Sequence, residues 1–305
     1  MPRSRLSPAA AVLAAASFPS LAFACACGCG VFDVGSSALI PYGPGGIAWL
    51  QYGFLDQTQN WSGSSRAPAA DNGDKNIRTN FYTVGAQYMF NESWGVMAEV
   101  PYTDRHFVTV DSGAPETFNH VSLGDIRLMG VYSGFQPDMS AGIVAGAKLP
   151  TGDSTYAHFD PDVEIGSGST DLILGAYKTG ALTSDQSFHW FGQAMWQHEI
   201  ATQHHYTPGS EFNAAAGISF EGWDLAPNVN VAPLAQVIYS HRGQDSGIGD
   251  PENTGYDRAL VSPGISLAVD RWKLYADAEF AVYQNVNGNQ LTAPVAFKAI
   301  VSYGF

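Results

Sequence analysis

Cys25, Cys27 and Cys29 stand together in the run Cys25-Ala26-Cys27-Gly28-Cys29-Gly30, and they are the only cysteines of the chain. Thiolates this close suit a soft metal such as Cu(I) or Zn, or a redox partner. C-x-C-x-C is not the C-x₂-C of a zinc ribbon, and no histidine lies near. The C-x-x-C-H of covalent haem is absent. In an oxidising compartment three cysteines leave one thiol over. The expectation is a metal or redox contact at these three residues, against a terminal tail without chemistry. No other cofactor is expected.

Two further groups have the right residue types. His198, His204 and His205 lie close together with Glu199 beside His198. Metal binding or acid–base work there needs a geometry that spacing does not supply, so a solvated polar loop is the commoner reading. Asp153, Asp160, Asp162 and Glu164 make the stretch 151–168 acidic. Hard cations such as Ca²⁺ favour such oxygens, but the spacing fits no EF-hand. No G-x-S-x-G elbow, P-loop or H-E-x-x-H occurs. An enzyme is not expected. The remaining enzymatic alternative is a lipid hydrolase with Ser and His meeting on the outside of a barrel. Strand parity puts His198 outward, but no adjacent serine is assignable. The net charge of −14 argues against nucleic acid, whose phosphates need basic surface.

The elements that must position these groups begin after a leader. Residues 1–24 read as a secretory signal, with Arg3 and Arg5, an apolar stretch at 9–17 and Ala22-Phe23-Ala24 as the cleavage site. Residues 25–44 show no alternating face and end in Pro41-Tyr42-Gly43-Pro44, which cannot continue a ladder. Their apolar pairs Val31-Phe32 and Leu39-Ile40 need shelter. This segment is expected to fold into or across the periplasmic opening as a small plug.

From residue 45 onward the dominant pattern is alternation, the period of a strand with two unlike faces. Val295, Phe297, Ala299, Val301, Tyr303 and Phe305 share one face, and Ala296, Lys298, Ile300, Ser302 and Gly304 share the other. The same holds for 82–90, 94–102, 212–220, 229–239 and 272–283. Aromatics recur near the ends of the apolar faces, as in Trp94 and Tyr102 or Phe212 and Phe220, like the girdles of a lipid-facing band. Strands of about nine to eleven residues suit a tilted bilayer crossing. Twelve strands are predicted, near 46–56, 77–90, 94–104, 120–134, 139–150, 169–180, 187–200, 210–220, 228–240, 257–268, 271–284 and 291–305. Long polar links (57–76, 105–119, 151–168, 201–209 and 241–256) alternate with short ones, apart from a short eleventh link around Asn287-Gly288-Asn289. The predicted fold is all-β: a transmembrane antiparallel up-and-down barrel of about twelve strands over 45–305, in the outer membrane, with both termini periplasmic.

Parity also gives the inward set. Glu99, Asp125, Arg127, Lys148, Asp171, Gln193, Gln197, Arg258, Lys273, Asp277, Glu279 and Lys298 are the predicted pore-lining residues, with Gln51, Gln87, Glu199, Asn213 and Gln236 on the same faces. Their mixed charges read equally as a self-neutralising interior and as a selective wall.

Two resemblances follow. Phe305, with Tyr303, Val301 and Phe297 behind it, resembles the C-terminal signal read by the barrel assembly machinery. Ser122-Leu123-Gly124-Asp125-Ile126-Arg127-Leu128, then Ala147-Lys148-Leu149-Pro150-Thr151-Gly152, then Gly166-Ser167-Gly168-Ser169-Thr170-Asp171-Leu172 resemble, in order and spacing, the outer-membrane transporter family named for the MetA pathway of phenol degradation. That resemblance implies a porin-like barrel in contact with lipid and lipopolysaccharide. It also implies a transport role, while the phenol of the family name implies little about this chain's own solute; small solutes, hydrophobic or aromatic ones among them, are the expectation. The competing readings are the lipid hydrolase and a structural or redox partner barrel using the cysteines.

Overall fold

The computed structural model describes residues 40–41, 43–110, 113–249 and 251–305. The leader, the three cysteines and most of the 25–44 segment lie outside these residues.

Alternation resolves into a continuous ladder. The strands are β1 (Gly45–Gln57), β2 (Asp74–Met89), β3 (Trp94–Thr109), β4 (Glu116–Leu123), β5 (Ile126–Tyr132), β6 (Ala141–Leu149) and β7 (Ser169–Ala181). They continue as β8 (Phe188–Thr202), β9 (Glu211–Phe220), β10 (Val229–Arg242), β11 (Tyr256–Val269), β12 (Trp272–Thr292) and β13 (Val295–Gly304). Each crossing pairs antiparallel with its neighbours in sequence, and β1 closes the circle on β13 from Ile47↔Gly304 to Leu55↔Ala296. β4 and β5 are two halves of one crossing, both paired with β3. β12 turns back on itself near Asn287-Gly288, where Gly288 has φ +56°, a left-handed value that glycine takes without strain. Its returning end pairs with Gln59–Gly63, a continuation of β1. The result is a closed antiparallel barrel of twelve crossings.

Two links are shorter than the sequence pattern predicts. The stretch 105–119 is largely ladder, with Arg105↔His120 and Phe107↔Phe118 paired across β3 and β4. The 57–76 link is shortened by the Gln59–Gly63 strand and by the start of β2 at Asp74. Above the membrane band the outward face carries polar residues such as His106 and Asn119, so the apolar alternation fades although the strands continue.

The outer surface is the apolar face. Leu50, Val84, Val96, Leu128, Leu174, Val237, Leu274 and Val301 are exposed there. Aromatics bound the band on both sides. At the end with short turns, Trp94 packs on Tyr132, Phe188 on Phe220, Trp272 on Tyr303, and Tyr88 on Phe305. At the end with long loops, Tyr52, Tyr82 and Tyr102 form a row, and Phe212 meets Tyr239. Trp94 to Tyr102 is about nine residues along β3, the length a tilted strand needs to cross a bilayer.

The interior is stratified. Near the turn end, Trp49, Leu234, Tyr275 and Ile300 pack together, and Met89, Val131, Met139, Tyr177 and Phe191 form an adjoining cluster. Ile40, the residue at which the described chain begins, is buried in that second cluster. This part of the segment before β1 therefore turns into the barrel mouth. Midway, Leu55, Ala215, Ile238 and Leu260 form an apolar belt. Toward the loop end polar residues dominate the interior, around one further apolar cluster that includes Ile77, Phe107 and Leu291.

Candidate functional site: a lumen capped by an inward loop

The stretch 150–168 between β6 and β7, expected as an outer loop, turns into the barrel. Arg105 on the inner face of β3 holds its tip. The guanidinium donates to the carbonyl of Val163 and, at 3.1 Å, to that of Glu164, while Nε donates to Thr79 Oγ1 at 3.1 Å. Phe159 and Val163 pack against Ile77, Phe107 and Leu291 of the wall. The tuck buries apolar loop residues and satisfies two buried carbonyls with one charged donor.

The three segments that carry the family resemblance meet at the base of this loop. The break between β4 and β5 leaves Asp125 aimed inward. Its Oδ1 accepts from Gly152 N at 3.0 Å, and its Oδ2 accepts from Ser167 N at 2.9 Å and Ser167 Oγ at 2.6 Å. Lys148 Nζ lies 2.7 Å from Asp171 Oδ2 and 3.7 Å from Asp125 Oδ2, and donates to Ser167 Oγ at 2.7 Å. Thr151 Oγ1 donates to Gly124 O at 3.1 Å and accepts from Ile126 N at 2.9 Å. The two ends of the loop cross in contact. A Cβ on Gly166 would lie 2.4 Å from the carbonyl carbon of Gly152, so only glycine fits at this crossing.

On the wall side, β4 pairs with β3 only, and loop side chains cover its other edge. Tyr156 OH donates to Asn119 O at 3.2 Å, and its ring stacks on His120 at 3.8 Å. His120 Nε2 lies 3.3 Å from Asp153 Oδ2, and Phe118 stacks on His158.

Beneath the loop lies a cavity of about 130 Å³, lined by Phe81, Pro101, Pro161 and Ile165 as well as by charged groups. Two acids of the loop face it in unusual states. Burial, with the charges of Asp160 and Asp245, pushes Asp162 up to about 7. Burial, with Asp153 nearby, pushes Glu164 up to about 8. An ion removed from water shifts toward its neutral form in this way. A second cavity of about 60 Å³, more apolar, lies beyond Glu99 and is lined by Ile40, Met97, Val131, Val144 and Tyr177.

All twelve residues expected to line a pore sit on inner faces, but not in one group. Glu99, Asp125, Arg127, Lys148 and Gln197 line the upper cavity, with Arg127 3.8 Å from Glu99. Asp171 joins them through Lys148 and through Gln197 Nε2 at 2.7 Å. Gln193 lines the second cavity. Lys273 lines a separate space of about 340 Å³ at the turn end. Asp277 accepts from Ser262 Oγ at 2.6 Å, Tyr275 OH at 2.7 Å and Gln236 at 3.1 Å. Glu279 pairs with Lys298 at 2.9 Å, both fully enclosed. Arg258 lies over the Tyr256 ring at 4.0 Å. Gln51 lines the upper cavity, Gln87 the second, and Asn213 is buried.

The inward set read from the sequence does not include Arg105, Asp162, Glu164, Glu211, Tyr206 or Arg242, which also line the upper cavity. Arg105 has the inward parity of Glu99, and that signal finds it once β3 is extended. The loop acids carry, in sequence, only the marks of a candidate cation site.

The remaining groups do not assemble into sites. Among the described residues no three His, Cys, Asp or Glu converge on a metal position. Asp153, Asp160, Asp162 and Glu164 lie on the tucked loop and form no such group there. His204 and His205 sit in a turn with φ of 56° and 61°. His198 does have a serine neighbour, which spacing does not reveal. Its Nδ1 lies 2.7 Å from Ser210 Oγ and 3.4 Å from Glu199 Oε2, and Ser210 Oγ donates to Glu199 at 3.3 Å. A catalytic triad places serine and acid on opposite ring nitrogens. Here both approach the same nitrogen, so the acid does not orient the ring from behind.

No family model matches the sequence, and no curated protein matches it. Solved structures do match in shape. The crystal structure of the COG4313 outer membrane channel from Pseudomonas putida F1 is similar over 90% of this chain and 100% of that one, with TM-score 0.65 and 10% identity. The beta domain of the Bordetella autotransporter BrkA is similar over 86% of this chain and 100% of that one, with TM-score 0.52 and 11% identity. This chain has the fold of an outer-membrane β-barrel. At such identities the likeness concerns the barrel and no individual residue. The loop's anchoring network therefore rests on this chain's own contacts.

Proposed function

We propose that the chain is a narrow outer-membrane channel or transporter for small solutes, apolar or amphipathic ones in particular, and not an enzyme. The observation that carries this reading is the partly filled lumen. A barrel of twelve strands is narrower than the sixteen-stranded porins with their open aqueous channels. Here it keeps a cavity with both apolar and charged walls, closed above by a loop held to the wall mainly by side-chain contacts. Concave sites lined mainly by apolar groups with a few placed polar ones are the usual form of small-molecule sites. Below the cavity the interior is packed with apolar clusters, a surrounding that favours solutes able to shed water.

The kinship to the phenol-pathway transporter family is part of the same proposal. It is supported by the convergence of the three resembling segments on one knot, and by the barrel shape shared with the Pseudomonas protein, an outer membrane channel. On this reading the short-turn end faces the periplasm, where Phe305 would have been read by the assembly machinery. The cysteines would lie on that side too, free for a soft metal or a redox partner.

Planar-bilayer recording tests the proposal. The full chain should give a small, resolvable conductance, and removal of residues 154–163 should raise it several-fold. A barrel that never conducts, with or without those residues, and instead cleaves lipid esters would overturn the reading in favour of the hydrolase.

A further inference from the structure

Among the described residues, the buried bases of the upper and middle lumen have partners, with one exception. Lys148 is held by Asp171, Lys298 by Glu279, Arg127 by Glu99 and Arg242 by Asp245. Arg105 caps loop carbonyls. Arg258 has the ring of Tyr256 against its face and no carboxylate in reach. It is 6% exposed, and neither its Nε nor its Nη2 has a hydrogen-bond partner. These two atoms form one edge of the guanidinium, the fork that takes a carboxylate in a two-point grip.

The surroundings extend the same idea. Ser240 sits directly across the β10–β11 ladder from Arg258, and its enclosed hydroxyl also lacks a partner. Asn213 faces inward beside Ser240 on β9. One step toward the turn end, Ile238 and Leu260 face each other, and they join Leu55 and Ala215 in the apolar belt. One step toward the loop end, Glu211 and Arg242 border the upper cavity. The unmatched fork therefore lies between the cavity and an apolar patch. A buried cation without a counter-charge is costly, and an unsatisfied buried donor calls for an explanation.

We propose that Arg258 is the headgroup ligand for an amphipathic carboxylate carried through the lumen: its Nε and Nη2 grip the carboxylate, Ser240 Oγ adds a third donor, and the apolar part lies on Leu55, Ile238 and Leu260. The inference rests on the channel reading and names the class of solute. In this structure the fork is enclosed, so the guanidinium rotates toward the cavity to meet its ligand while keeping contact with Tyr256. A neutral analogue of the same shape would lose the grip and keep only the apolar contact.

The test uses the full chain in detergent, with 4-phenylbutyrate and 4-phenylbutanol as matched probes, in calorimetric titration at neutral pH. The carboxylate should bind at least tenfold more tightly than the alcohol. R258Q should abolish that preference while leaving the alcohol unchanged, and R258K, which keeps the charge but loses the fork, should keep only part of it. Without any probe, R258Q should unfold at an equal or higher temperature than the parent, because it removes an unmatched charge. Lower unfolding temperature in R258Q, or a preference that survives the substitution, would mean that the cation is structural and overturn the proposal. If neither variant assembles, the comparison of the two probes on the parent chain decides alone, and equal affinities refute the carboxylate grip. Equal affinities with real binding leave the channel reading intact. If neither probe binds and neither crosses the membrane through the barrel, both readings fail.

Discussion

Lys148 is the residue on which the loop's base depends, because one ammonium faces two carboxylates, Asp171 and Asp125, with all three side chains less than a tenth exposed. Removing the cation leaves two like charges enclosed together, and breaking a buried ion pair on one side costs about 3–5 kcal/mol. K148M should therefore lower the urea midpoint of the heat-modifiable barrel by a corresponding amount. K148M combined with D125N and D171N should recover much of the loss. A single substitution as harmless as a surface change would contradict the network. For these residues parity was a good guide. Lys148, Asp125 and Asp171 were legible as inward residues because their outward neighbours are apolar. Their joint task was not legible, since Asp125 aims inward only because β4 breaks there. Ser210 was invisible for a related reason: it reaches His198 across the loop between β8 and β9, a contact that no spacing rule gives.

In the proposed channel, the inward loop is the element that would open or close the lumen. Asp162 and Glu164 keep pKa values of about 7 and about 8 while it is tucked, mainly because burial disfavours their ions. Once the loop is released and hydrated, both return to the ordinary carboxylate range near 4. Both pKa values are raised in the tucked form, so that form is fully favoured below the ordinary range and loses ground as pH rises toward 7 and 8. Arg105 and Arg242 moderate the effect, while Asp153, Asp160 and Asp245 reinforce it. Channel conductance should accordingly be lowest near pH 5 and increase up to about pH 8. E164Q should flatten the upper part of that rise. A conductance independent of pH in the parent, or a rise of equal size in E164Q, would separate the acids from the gate. The sequence showed this element only as a long acidic link. Its inward path depends on Arg105, Phe107 and Leu291, which are remote in sequence, and local patterning cannot register such partners.

Across the whole molecule, the barrel itself was the most legible feature. Two-faced strands, aromatic ends and alternating link lengths all follow from one cause: lipid on one side and a polar interior on the other. The count of twelve survived because each crossing must be complete, even where β4 and β5 are interrupted. What patterning could not give was the state of the interior, since a packed lumen and a hollow one impose the same alternation. The proposed channel requires small amphipathic or apolar solutes to pass through this lumen when the loop yields. Uptake of radiolabelled 4-phenylbutyrate by Gram-negative cells with intact outer membranes is the sharpest test of that passage. Cells making the parent chain should take up the probe several-fold faster than cells with an empty vector, with saturation at high concentration. Cells making a chain whose loop is tied to the wall by a disulfide between H120C and Y156C, whose parent rings stack at 3.8 Å, or another pair found to cross-link, should fall to the empty-vector rate and recover on reduction. Uptake no faster than the empty-vector rate, in cells with correctly assembled barrel, would contradict passage through this lumen.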